Sequence, residues 1–183
     1  RRDFNVVDRV LEQDYTLRQM RMAINERVMR MIATQHPVAV DLRKLFYLVH
    51  TADEMERIGY QAAGIGRAMM REQYGKVPLL DDIFRMSERV GTMLERVLTC
   101  SLGEDAEGMK AVLRMDDEVD VICEQIYREC IARQGAHQVQ DSETMTAISI
   151  AQYLEHVGDH AVNWARWWLY FNGGPGETGD VIV

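Results

Sequence analysis

The chain has 183 residues, of which 47% are hydrophobic and 27% charged, and its net charge is −8. That length suits one domain of ordinary size or two small ones. The acidic balance excludes the broad basic field that draws nucleic acid, and no run of about eighteen apolar residues offers a membrane-spanning helix. The chain opens on Arg1 rather than Met, with no signal-peptide pattern, so further residues are expected upstream.

Strand signals are nearly absent. Few prolines and many Leu, Met, Ala, Glu and Arg favour helix. The periodicity predicts five helices, at about 4–34, 38–72, 80–101, 105–133 and 142–171. The break "QHPV" places Pro37 in the first turn of the second helix. "YGKVPLLDD" links the second helix to the third, and Gly103 separates the third from the fourth. "RQGAHQVQDS" precedes the fifth helix, with Asp141 or Ser142 as its cap. The tail "NGGPGETGD" ends that helix and reads as mobile.

On the fourth helix a stripe of Val112, Asp116, Val119, Cys123, Ile126 and Cys130 faces a bundle core. Cys100, Cys123 and Cys130 are odd in number and lack C-x-x-C spacing, so they read as reduced core thiols of a cytoplasmic protein. The methionines read as core filler. "WARWWLYF" near the end splits its aromatics between core and interface.

The chain repeats itself. "VLEQD" at 10–14 matches "VLRMD" at 112–116, an offset of 102. Residues 51–67 lie over 150–166, an offset of 99, with Glu56 on Glu155, Gly59 on Gly158 and Arg67 on Arg166. So long a period indicates a duplicated domain rather than a solenoid. The third helix has no counterpart in the first copy. The expected fold is therefore all-α: tandem three-helix bundles, the first lacking its first helix, over residues 1–75, 76–172 and a tail 173–183. A two-helix bundle leaves an apolar face uncovered. Val7, Val10, Leu17, Ile24 and Val28 are expected on or near it, and self-association into a dimer follows.

Asp116 and Asp120 are four apart, as are Glu155 and Asp159, so each pair shares a helix face. Carboxylates held close must protonate, find arginines or bind a cation. Isolated pairs of this spacing are usually solvated. Two pairs on two helices of one bundle, each within an apolar stripe, point to a metal site of oxygen ligands, suited to Mg, Mn, Fe or Zn. His156, His160 and Asn163 lie within a turn of the acids as orienting groups or extra ligands, and Gly158 lets the neighbouring helix come close. In the first copy Arg18 stands where Asp120 would be and Tyr60 where Asp159 would be, so Asp14 and Glu56 meet an arginine instead.

"QHPVAVDLR", "DEMERIG", "MDDEVD" and "LEHVGDHAVN" together resemble the PhoU family of phosphate-signalling regulators, in order and spacing, over nearly the whole chain. The resemblance implies two three-helix bundles joined in line and an E(D)-x-x-x-D pair per bundle, which in some members holds a multinuclear iron or zinc cluster. It implies a non-enzymatic, cytoplasmic and often dimeric protein. Its partners would be the ATPase of a phosphate-specific ABC transporter and a sensor histidine kinase, and its effect negative regulation of phosphate uptake and homeostasis. A PhoU-like domain of a sodium–phosphate cotransporter is an alternative, as is a metal-free adaptor. A carboxylate-bridged metal oxidase fits less well, because no Glu here has a His three positions on.

Overall fold

A computed structural model describes residues 4–71, 79–136 and 141–172. These form five helices: α1 (Phe4–Gln35), α2 (Ala39–Arg71), α3 (Leu80–Gly103), α4 (Ala106–Gly135) and α5 (Asp141–Asn172). No strand occurs among the described residues. The expected boundary at 75/76, most of the linker and the tail 173–183 lie outside them.

The caps refine the expected breaks. His36 takes a left-handed φ of 46° after α1, Pro37 follows, and the Leu42 N–H donates to Val38 O at 2.9 Å. Pro37 therefore precedes α2 rather than sitting in its first turn. Its fixed φ and missing N–H suit that place equally well. Between α3 and α4 the left-handed residue is Glu104, at φ 54°, not Gly103, which still belongs to α3. The Asp105 carboxylate then accepts from the Gly108 N–H at 2.9 Å and caps α4. Asp141 and Ser142 are already inside α5 rather than capping it. Asp141 accepts from Gln134 Nε2 at 3.0 Å.

Helices α3, α4 and α5 make one three-helix bundle. From α4 come the expected Val112, Val119, Cys123, Ile126 and Cys130, all buried, with Asp116 half-buried at their edge. From α3 come Met86, Val90, Met93 and Val97. Each such side chain contributes roughly 1.5–3 kcal/mol on burial. Helix α5 is covered on three sides and uses Ala147, Ala151, Ala161 and Ala165 where helices come closest.

Among the described helices α1 packs on α2 alone, and α2 packs in turn on α5. The first repeat is thus a hairpin leaning on the second repeat. The expected uncovered face is a different one. Val28 is buried, and Val7, Val10, Leu17 and Ile24 are half-buried because they face α2. Val7 lies against Gly66 and Leu17 against Gly59. The large apolar side chains that α1 exposes are Val6, Tyr15, Met20, Met22 and Met29, the last four more than half exposed. All three cysteines are free and buried, and burial pushes their thiols upward.

Candidate functional site

Helices α4 and α5 bring the two acid pairs of the second repeat to the rim of the bundle. Asp116, Glu155 and Asp159 are half-buried and Asp120 is exposed. Asp116 is pushed up to about 6, first by burial, then by Asp120 and Asp159, while Arg166 pulls it down. Asp120 is raised by burial and by Asp159. Glu155 is raised by burial, then by Asp159, with His156 opposing. The acids of the two helices therefore feel one another's charge across the helix pair.

Arg166 acts on Asp116 through space, but no arginine or lysine among the described residues forms an ion pair with the four acids. Among the described residues Asp116, Asp120 and Asp159 have no ion-pair partner, and Glu155 has only His156 at 3.4 Å. Nor do three His, Cys, Asp or Glu side chains among the described residues converge closely enough to hold a metal ion as they stand. The donor set itself, oxygen atoms that repel one another at the edge of a dry core, has the chemistry of a hard-cation site. Gly158 is less critical than its spacing suggests. A methyl there would lie 3.4 Å from Asp116 Oδ1 and 3.6 Å from Val119 Cγ1, in ordinary contact. What approaches it is side chain, not backbone.

His160 is turned away from the acids. Its Nδ1 lies 2.9 Å from Glu54 Oε2 on α2, and both side chains are nearly sequestered. It ties the repeats together instead of orienting a ligand. Glu54 carried no signal of its own, although a glutamate between apolar Ala52 and Met55 on a buried face has to find a partner. Around it, Trp164 Nε1 donates to the Tyr47 hydroxyl at 3.0 Å, and that hydroxyl is bonded to Ser101. His50 stacks on Trp167. Trp164 and Trp168 are buried in the core as expected, whereas Trp167, Tyr170 and Phe171 are half-buried, with Trp167 and Phe171 stacked on His50 of α2 within the chain.

In the first repeat arginines occupy the equivalent place. Arg18 lies 4.0 Å from Asp14 and 3.5 Å from Glu56. Arg21 pairs with Glu56 and lies 3.6 Å from Asp53. The offset of 102 puts Arg21 over buried Cys123. A cation facing this seam was therefore readable from the register, although only Arg18 stood out. Tyr60 points outward under Arg67, whose guanidinium carbon is 5.4 Å from the ring centroid.

The family model described as the PhoU domain matches residues 1–69 and 83–168. The chain belongs to that family. It is 31% identical over 174 residues to the "phosphate-specific transport system accessory protein PhoU" of Serratia marcescens, covering 92% of this chain and 70% of that one. Its similarity to the protein of that name from Escherichia coli K12 is 30% over the same shares. Among solved structures, PhoU from Pseudomonas aeruginosa superposes with a TM-score of 0.87 at 26% identity, over 93% of this chain and 82% of that one. PhoU from Streptococcus pneumoniae gives 0.83 at 20% identity, over 94% and 81%, and shares the fold. PhoU membership fits a chain whose described helices include none long and apolar enough to cross a membrane.

Proposed function

We propose that this chain is a non-catalytic accessory regulator of phosphate uptake, acting in the cytoplasm on a phosphate-specific ABC transporter and on a sensor histidine kinase. The observation that carries the reading is similarity along both repeats to proteins named as accessory proteins of a phosphate-specific transport system. A scaffold of long packed helices suits an adaptor that contacts partners and turns nothing over.

Within that role, Asp116, Asp120, Glu155 and Asp159 hold a metal ion. A di- or trivalent cation, iron or zinc first and magnesium or manganese next, would supply the positive charge that these acids lack. Small side-chain rotations would draw them inward once a cation offsets their mutual repulsion. The first repeat holds none, because Arg18 and Arg21 already neutralise Glu56, Asp14 and Asp53. A metal-free adaptor is the second reading, favoured by the lack of a convergent ligand cluster among the described residues.

The test is affinity capture from phosphate-replete cells with the tagged protein. The transporter ATPase and the kinase are expected in the eluate. Recovery of neither overturns the regulator reading. Recovery of both, unchanged by chelator and by the Asp120→Asn/Asp159→Asn variant, favours the metal-free adaptor.

A further inference from the structure

The antiparallel pairing of α2 with α5 is built from the two matched segments of the repeat, so its two ends are related by the register. At one end His50 stacks on Trp167, with centroids 3.7 Å apart and planes 13° apart, and Phe171 extends the stack. The offset of 99 carries His50 onto Ser149 and Trp167 onto Ala68. Ser149 and Ala68 both line an open cleft of about 370 Å³ at the other end, together with Gly64, Arg67, Thr146 and Tyr153. One end of the duplicated interface is thus filled by stacked rings, and at the other the same positions carry small side chains around open space.

The walls of the cleft have a definite chemistry. Tyr153 lays its ring on the α2 backbone at Gly64, where a methyl would come within 2.6 Å of it, so an aromatic face borders the space. Arg67 supplies a cation. It rests over Tyr60, 3.5 Å from the Tyr60 carbonyl, with no carboxylate paired to it among the described residues. Hydroxyl side chains at Ser142, Thr146 and Ser149 line the same wall. The cleft runs along the first three turns of α5, from Ser142 to Tyr153. The first turn also carries Asp141 and Glu143; Asp141 accepts from Gln134 Nε2 at 3.0 Å, and Arg67 is the cation that offsets them for an anion. The volume lies in the range of small-molecule sites and far exceeds what a lone oxyanion fills.

We propose that this cleft binds a planar ring bearing a phosphate, a nucleoside monophosphate in size, with the ring in the place of the His50–Trp167 stack and the phosphate on Arg67. The site is independent of the carboxylates on α4 and α5. Calorimetry on the whole chain with AMP tests it, with adenosine and inorganic phosphate titrated separately. AMP is expected to bind at least about tenfold more tightly than either fragment, because ring and anion act together. Arg67→Gln should weaken AMP by about tenfold or more, the loss expected for a charge-assisted contact. Ser149→His, and the Ala68→Trp/Ser149→His pair that copies the filled end, should abolish binding. Should the pair fail to fold by circular dichroism, Ser149→His and Arg67→Gln decide alone. Asp120→Asn/Asp159→Asn should bind AMP as before. Absence of AMP binding at millimolar concentration overturns the proposal. So does phosphate binding as tightly as AMP, or AMP binding that Arg67→Gln and Ser149→His leave intact.

Discussion

Glu54 on α2 and His160 on α5 meet at 2.9 Å across the boundary between the repeats, each almost removed from solvent. This contact adds a buried polar tie to the packing of the α1–α2 hairpin on α5. Truncating either partner strands the other in a dry interface, at a cost of about 1–3 kcal/mol. Glu54→Ala and His160→Ala should each lower the unfolding free energy read from urea titration by that amount. Their double variant should lose less than the sum of the two, with a coupling above about 0.5 kcal/mol in the double-mutant cycle. Additive losses would show that the pair does not join the repeats.

Two glycines matched in kind but not in surroundings should respond oppositely to alanine. At Gly64 the methyl meets the Tyr153 ring at 2.6 Å, and overpacking against a rigid ring costs about 1–3 kcal/mol. At Gly158 the contacts begin at 3.4 Å. There the helix gains roughly 0.5–1 kcal/mol from reduced backbone freedom. Thermal melts of metal-free protein should place Gly64→Ala below the wild type and Gly158→Ala at or above it.

The metal-free protein should lose stability as pH rises from 4 to 7. Asp116 is pushed up to about 6 in the folded state, above its unfolded value of about 3.9. Below the unfolded value both states hold the proton and the group contributes nothing. Between the two values the unfolded chain ionises first, so stability falls. Above the folded value the loss is complete, on the order of 1 kcal/mol after solvent screening. Asp120 and Glu155 shift in the same direction. Urea midpoints in EDTA should therefore drop across this window, and Asp116→Asn should flatten the drop. Chelation should lower the melting temperature more at pH 8 than at pH 5, since at the lower pH protonation already relieves the repulsion.

The helices were legible because long apolar stripes such as Val112–Val119–Cys123–Ile126 have only one period that buries them. Their ends were less so. Glu104 and His36 adopt left-handed conformations that the sequence assigns more readily to glycine. The acids of the second repeat could be read from spacing alone, since residues four apart on neighbouring core helices must share a rim. The role of His160 could not, because its partner lies 106 positions away on a helix whose rotation about its own axis is set by packing. The uncovered face of α1 is hidden in the sequence for the same reason: the apolar residues Val7 and Leu17 turn to α2, which leaves Met20 and Met29 to solvent.

The duplicated register makes one measurement decisive. Metal content per chain should be determined by elemental analysis after reconstitution with iron, zinc and manganese and removal of excess. The protein should retain metal. Asp120→Asn/Asp159→Asn should retain none, and Asp14→Asn/Glu56→Gln should retain as much as the wild type, because Arg18 and Arg21 already fill the first repeat's site. Zero metal in the wild type, or metal that survives the Asp120/Asp159 change, would contradict the assignment of a cation to the second repeat.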